Sequence, residues 1–235
     1  SASTSSLKKG ETFKDTAQNI EAMKIDAVVM RHPTPGAPLH LTDHIDSIVI
    51  NAGDGTHEHP TQAILDMTSL HEKFGYLKGL KVGIIGDIAH SRVALSNIHG
   101  LKTMGAEVTL CGPSTLIPPF AEELGVSVNY NVDEVIEWAD ALNVLRIQRE
   151  RMGGGLLPSV REYRNLFGIT TDRLSMHKKE IVIMHPGPMN RGVEIDSSVA
   201  DSDQAIILDQ VLNGVASRMA ILYLLLGGKQ EEGDS

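Results

Sequence analysis

Short apolar runs alternate with longer amphipathic stretches along almost the whole chain. Residues 25–30, 47–50, 81–85, 107–110, 127–130, 141–145 and 181–184 are too short for helices and rich in Val and Ile, so they predict strands. Residues 12–23, 61–73, 93–104, 119–124, 132–138 and 161–166 predict helices between them, and a final helix covers roughly 205–226. Alternation of this kind implies a mainly parallel sheet with helices on both faces, an α/β fold. No internal repeat or long linker interrupts it. Residues 229–235, glycine- and acid-containing, are expected to form a disordered, solvated tail.

The unusual residues cluster at the predicted strand ends. Arg31-His32-Pro33 follows the first strand and Asn51-Ala52-Gly53-Asp54-Gly55 the second. Gly86-Asp87 leads into His90-Ser91-Arg92 after the third, Arg146-Ile147-Gln148 follows residues 141–145, and His185-Pro186-Gly187-Pro188 follows residues 181–184. In open α/β sheets, ligands bind at the carboxyl edge of the strands. Arg31, Arg92 and Arg146 each stand just past a strand, where a planar guanidinium suits bidentate capture of a carboxylate or phosphate. A solvated surface arginine is the plain alternative for each alone.

His57-Glu58-His59-Pro60-Thr61-Gln62 has the sharpest local geometry. Pro60 suits the first helical position and pushes His59 out of the helical region, making His59 the cap. Gln62 then falls in the first turn, so both side chains stand beside free N–H groups and the positive end of the helix dipole. A simply capped helix fits the same pattern. Metal binding by His57 and His59 lacks a third ligand at a recognisable spacing. Gly83-Ile84-Ile85-Gly86-Asp87 lacks the full glycine spacing of a dinucleotide fingerprint, so no cofactor is expected. The Ser-x-x-Lys pairs within Ser5–Lys9 lack the companion motifs of acylating enzymes. Trp138, Met104 and Met184 read as core.

Charge and cysteine content narrow the classes. With 21 Lys+Arg against 30 Asp+Glu the net charge is −9, which argues against a general nucleic-acid binder yet allows a local cationic pocket. Cys111 is the sole cysteine, so no internal disulfide or cysteine-rich metal site can form, and a cytoplasmic location is expected. The longest apolar run near the end, 220–226, is too short to span a bilayer, and no membrane partner is expected. The serine-rich start, without methionine, basic n-region or apolar h-region, reads as a fragment or processed product rather than a secretory precursor.

Taken together, SSLKKGET (5–12), VMRHP (29–33), NAGDGTHEHPTQ (51–62), 86–92, LRIQRER (145–151), MHPGPMNRGVEI (184–195) and 213–218 resemble the catalytic chains of aspartate carbamoyltransferases. Ornithine carbamoyltransferases share the His-Pro-x-Gln element but have His-Cys-Leu-Pro where this chain has His185-Pro186-Gly187-Pro188. The resemblance implies two lobes, each a mainly parallel sheet flanked by helices (the aspartate/ornithine carbamoyltransferase fold). Residues 1–70, completed by helix 206–228, would belong to the carbamoyl-phosphate lobe, and 75–205 would form the aspartate lobe. It also implies transfer of the carbamoyl group of carbamoyl phosphate to the amine of L-aspartate, a step of de novo pyrimidine biosynthesis. Arg31, His59 and Lys9 would be catalytic. Carbamoyl phosphate would meet Arg31, His59, Gln62, Ser5 and the carbonyls of Gly187 and Pro188, whose peptide bond would be cis. L-Aspartate would meet Lys9, Arg92, Arg146 and Gln148. A homotrimer with sites shared through Ser5–Lys9 is expected, with regulatory chains or a dihydroorotase as further candidate partners. The family's Ser-Thr-Arg-Thr-Arg motif does not occur in this chain, so the polypeptide alone is expected to be weakly active or inactive. Carbamoylation of another amine, or a non-catalytic remnant that binds dicarboxylates, remain the alternatives.

Overall fold

The structure is a computed structural model that describes residues 13–147, 159–177 and 179–227. Its elements follow the predicted alternation: α1 (Phe13–Ala22), β1 (Ala27–His32), α2 (Ala37–Thr42), β2 (Ile48–Asp54), α3 (Pro60–Phe74), β3 (Lys81–Ile85), α4 (Arg92–Thr103), β4 (Glu107–Cys111), β5 (Ser127–Val128), α5 (Val132–Trp138), β6 (Ala141–Val144), α6 (Val160–Phe167), α7 (Thr171–Met176), β7 (Val182–Met184), α8 (Ser197–Ala200) and α9 (Ile207–Gly227). Two parallel sheets result, a pair β1–β2 and a five-stranded sheet in the order β5-β4-β3-β6-β7.

Strand side chains alternate between faces, and the larger sheet feeds a separate core on each. Val82 and Ile84 of β3 join Leu110, Leu70, Ile98 and Leu101 on the α3–α4 side. Ile85 joins Cys111, Leu142 and Val144 with Val135, Ile136, Tyr163 and Phe167 on the α5–α6 side. Burial of Cys111 pushes its thiol up to about 12, so it is an inert core residue.

Helix α9 packs on α3 through an unusual face. Its buried residues include Gln210, Asn213 and Ser217, while Leu208, Val211, Leu212, Val215, Met219, Tyr223 and Leu224 are exposed. Asn213 Nδ2 donates to Ser69 Oγ at 3.0 Å and to Glu72 Oε2 at 2.6 Å. Among the described helices, α9 is the one long and apolar enough to cross a bilayer by length and composition; its inward stripe is polar.

Several expectations change. Arg31 and His32 lie inside β1, and Asn51 to Asp54 inside β2, because parallel pairing carries on through His32↔Asp54. Residues 119–124 form a short 3₁₀ turn at Ala121–Leu124 rather than a helix, and the strand expected over 127–130 stops at Val128. Helices α2, α7 and α8 were not predicted; each is a turn or two long and offers little periodicity. Met104 is 50% exposed at the C-cap of α4 rather than in the core, whereas Met184 is fully buried. The tail at 229–235 lies outside the described residues.

The carboxyl ends of β3 and β4 approach so closely that only a glycine fits. A Cβ on Gly112 would sit 2.3 Å from the Gly86 carbonyl oxygen. Gly112→Ala is therefore expected to cost about 2 kcal/mol through overpacking. Gly227→Ala, where a Cβ meets open space, should stay within about 0.5 kcal/mol. Thermal unfolding midpoints of the two variants check this, and equal midpoints would refute the close-approach argument.

Candidate active site

The carboxyl ends of both sheets open onto one cleft of about 450 Å³, lined by Arg31, His59, Gln62, Ser91, Arg92, Val93, Leu145, Arg146, Pro186, Gly187 and Pro188. Residues from β1, α3, α4, β6 and the turn after β7 thus meet across a sequence separation of more than 150 residues. Lys9, Ser5 and Gln148 lie outside the described residues.

The loop after β2 is a scaffold built around one buried carboxylate. Asp54 accepts from Gly36 N at 2.6 Å, Asn51 Nδ2 at 3.0 Å and Glu58 N at 3.0 Å, and pairs with His57 Nδ1 at 3.1 Å. Burial alone would raise this carboxyl; the donors from Asn51, Gly36, His57 and Glu58 outweigh it and hold Asp54 at about 2. His57 is thereby committed to Asp54. Gly53, at φ 114°, leaves room for Arg92: a Cβ there would lie 2.8 Å from the guanidinium carbon. Arg92 also donates to the Gly55 carbonyl at 3.4 Å. Gly53 of NAGDG therefore lets an α4 side chain lie on the β2 loop.

His59 is the N-cap residue of α3, with φ −144°, ψ 68° and Pro60 at the first helical position; its side chain makes no capping bond. Its backbone N–H donates to Ser96 Oγ of α4 at 2.8 Å, and Ser96 bonds Glu58 in turn. Burial, then the charges of Arg92, Arg31 and Arg218, hold the imidazole down to about 4. His59 is therefore neutral at pH 7, with one ring N–H to donate and no charge to lose.

Ser91 caps α4 by accepting from Ala94 N at 3.2 Å, which sets Arg92 as its first residue. Gln62, almost wholly buried, donates its amide to Asp66 Oδ1 at 3.0 Å. The turn after β7 is held from behind: His185 N donates to Gln210 Oε1 at 2.9 Å, and Gly187 N donates to His185 Nδ1 at 2.9 Å. That acceptor role leaves the ring proton on Nε2, 3.4 Å from buried Glu194 Oε1. Glu194 also accepts from Asn190 N and Nδ2, and Asn190 reaches Ile147 O beside Arg146 at 3.0 Å. Gly187 has φ 61° and its bond to Pro188 is cis.

Single-residue reasoning missed Arg218, which lines an adjoining cavity of about 230 Å³ with Gln62, Pro186 and Gly187 and acts electrostatically on His59. It sits within the 213–218 stretch that the resemblance singles out, which was the available signal. The site can bind anions through its guanidinium groups and polarise a carbonyl with a neutral imidazole.

Comparisons with known proteins agree with this geometry. Residues 1–72 match the aspartate/ornithine carbamoyltransferase carbamoyl-P binding domain, and residues 78–225 match the Asp/Orn binding domain. The chain is 59% identical over 231 residues to the aspartate carbamoyltransferase catalytic subunit of Gemmatimonas aurantiaca, covering 98% of this chain and 72% of that one. The subunit of the same name from Christiangramia forsetii is 61% identical over 225 residues, covering 96% and 73%. Aspartate transcarbamoylase from Trypanosoma cruzi in complex with carbamoyl phosphate superposes with a TM-score of 0.85 at 30% identity, covering 95% of this chain and 73% of that one. Ornithine carbamoyltransferase from Pyrococcus furiosus superposes with a TM-score of 0.81 at 27% identity, covering 93% and 72%. The chain belongs to the aspartate/ornithine carbamoyltransferase family.

Proposed function

We propose that the chain is the catalytic polypeptide of an aspartate carbamoyltransferase, which converts carbamoyl phosphate and L-aspartate to N-carbamoyl-L-aspartate and phosphate in pyrimidine biosynthesis. The observation that carries the reading is the meeting of Arg31, His59, Arg92 and Arg146 with the Gly187–Pro188 turn in one cleft. Electrostatics favours aspartate over ornithine: two carboxylates complement this arginine-lined cleft, whereas a side-chain ammonium would be repelled. Relatives at 59% and 61% identity carry the matching name.

In this reading the aspartate amine attacks the carbonyl carbon. The N–C bond forms, the C–O bond to phosphate breaks, and the departing phosphate takes the amine proton. Arg31 and neutral His59 donate to the carbonyl oxygen as negative charge builds there, and Lys9 and Ser5 reach the phosphate. Gln62 and the carbonyls of Gly187 and Pro188 hold the carbamoyl NH₂. Arg92 and Arg146 bind the aspartate carboxylates with help from Gln148. Residues 1–70 with 206–228 act as the carbamoyl-phosphate lobe and 75–205 as the aspartate lobe, supported by the two separate sheets on either side of the cleft. Closure of the lobes excludes water and aligns the reactants. The assembly is a cyclic homotrimer in the cytoplasm.

The intact enzyme containing this chain, given carbamoyl phosphate with either aspartate or ornithine, should form a ureido product with aspartate alone. Product with ornithine only would overturn the assignment. His59→Ala should lower kcat about a hundredfold, as loss of an oxyanion donor does, and leave the shape of the pH profile between 6 and 8 unchanged. The sign follows from the imidazole lying at about 4 instead of 6.5. The unfolded chain binds the proton first as pH falls, so His59 contributes stability that is present above 6.5 and lost towards 4. A step near 6.5 that vanishes in the variant would show His59 acting as the cation. Finally, Lys9→Ala and Arg92→Ala chains, each inactive alone, should recover activity when mixed, since a mixed trimer contains a site with both residues intact. Failure to recover would count against sharing.

A further inference from the structure

A second carboxylate with four hydrogen-bond partners, besides Asp54, lies behind the cleft rather than in it. Asp66 of α3 is completely buried, and both its oxygens receive two amide N–H groups. Gln62 Nε2 (3.0 Å) and Gln210 Nε2 (2.7 Å) donate to Oδ1; Asn97 Nδ2 (2.8 Å) and Asn143 Nδ2 (3.4 Å) donate to Oδ2. Burial pushes the carboxyl up and the four donors oppose it. All four amides turn their NH₂ groups to the two Asp66 oxygens, which act here as acceptors.

An amide has one donor end and one acceptor end, and a partner that only accepts fixes which end faces it. Gln210, with its NH₂ on Asp66, turns Oε1 to the His185 N–H at the start of the Gly187–Pro188 turn. Gln62, with its NH₂ on Asp66, has Oε1 left for the cleft it lines. Two arms from one carboxylate thus reach the two places assigned above to the carbamoyl NH₂.

We propose that Asp66 is the positioning residue that sets the amide polarity of the cleft, presenting Gln62 Oε1 as an acceptor for the carbamoyl NH₂ and so selecting carbamoyl phosphate over acyl phosphates that lack that NH₂. This rests on the carbamoyltransferase reading and on the role given there to Gln62.

Acetyl phosphate is the probe, because a methyl group replaces the NH₂ and nothing else changes. In the intact enzyme, Asp66→Asn places an NH₂ among four NH₂ donors and one side must give way. KM for carbamoyl phosphate should rise roughly tenfold, the usual scale for leaving a buried polar group unpaired, while Ki for acetyl phosphate as competitor stays within about twofold. A residue that merely stabilised the fold would weaken both ligands together, and equal changes, or none, would overturn the proposal. Gln62→Met separates the two levels. If it shows no selective loss, the role of Gln62 fails; if it shows selective loss and D66N does not, Asp66 fails. Asn213→Ala, which breaks another α3–α9 contact, should lower the unfolding midpoint and leave both constants alone. Should D66N be unfolded at the assay temperature, neutron diffraction from wild-type crystals decides the point. Deuterium on Gln62 Nε2 facing a bare Asp66 carboxylate is expected; a flipped amide or a deuteron on Asp66 refutes it.

Discussion

A cluster of guanidinium groups around a narrow cleft is the constraint on which the rest of this structure depends. Like charges at such distances repel, and the chain carries a net −9 that could neutralise them. Yet acids placed in the cleft would compete with anionic ligands for the same guanidinium groups. The fold sets its acids one layer back. Asp54, Asp66, Asp87 and Glu194 are all buried behind the cleft, and their hydrogen-bond partners are backbone N–H, amide or imidazole groups. Their negative potential offsets the cluster at longer range, and their lone pairs orient the loops that carry the cations. Parallel topology makes this arrangement affordable, because every strand ends on the same edge and every return helix lies behind it.

Much of this was legible in local pattern. β3 and α5 have the boundaries expected from periodicity, since β3 is an apolar run and α5 is capped by Asn131, whose side chain accepts from Asp133 N. The placement of Arg92 and Arg146 followed from strand ends, a feature of topology rather than of packing. Arg31 was found by the same rule although it lies within β1, next to the irregular register between Met30 and His32.

What stayed hidden was long-range pairing among polar residues. Asp66 and Gln210 are 144 positions apart, and Asp66 and Asn143 are 77 apart. In sequence, Asp66 is one of two acids on α3, and nothing local marks Gln210 and Asn213 as the buried side of α9. The structure inverts that face: the polar stripe packs inward on α3 and the leucines point outward. Hydrophobic periodicity locates a helix, but which face is buried depends on the partner, and α3 presents Asp66, Ser69 and Glu72 to be satisfied.

The neutral state of His59 follows from the same electrostatics. Burial makes a cationic histidine costly at this position, and the charges of Arg92, Arg31 and Arg218 add to that cost. A neutral imidazole is the weaker donor but a dependable one across the pH range in which the arginines are charged. The division of labour is then set by position. In the proposed reaction Arg92 and Arg146 would face the permanently charged carboxylates of a ligand, while neutral His59, beside Arg31, would face the atom where charge appears only in the transition state. Preorganisation of this kind favours the transition state over the ground state, because a neutral donor gains most when its partner becomes an anion.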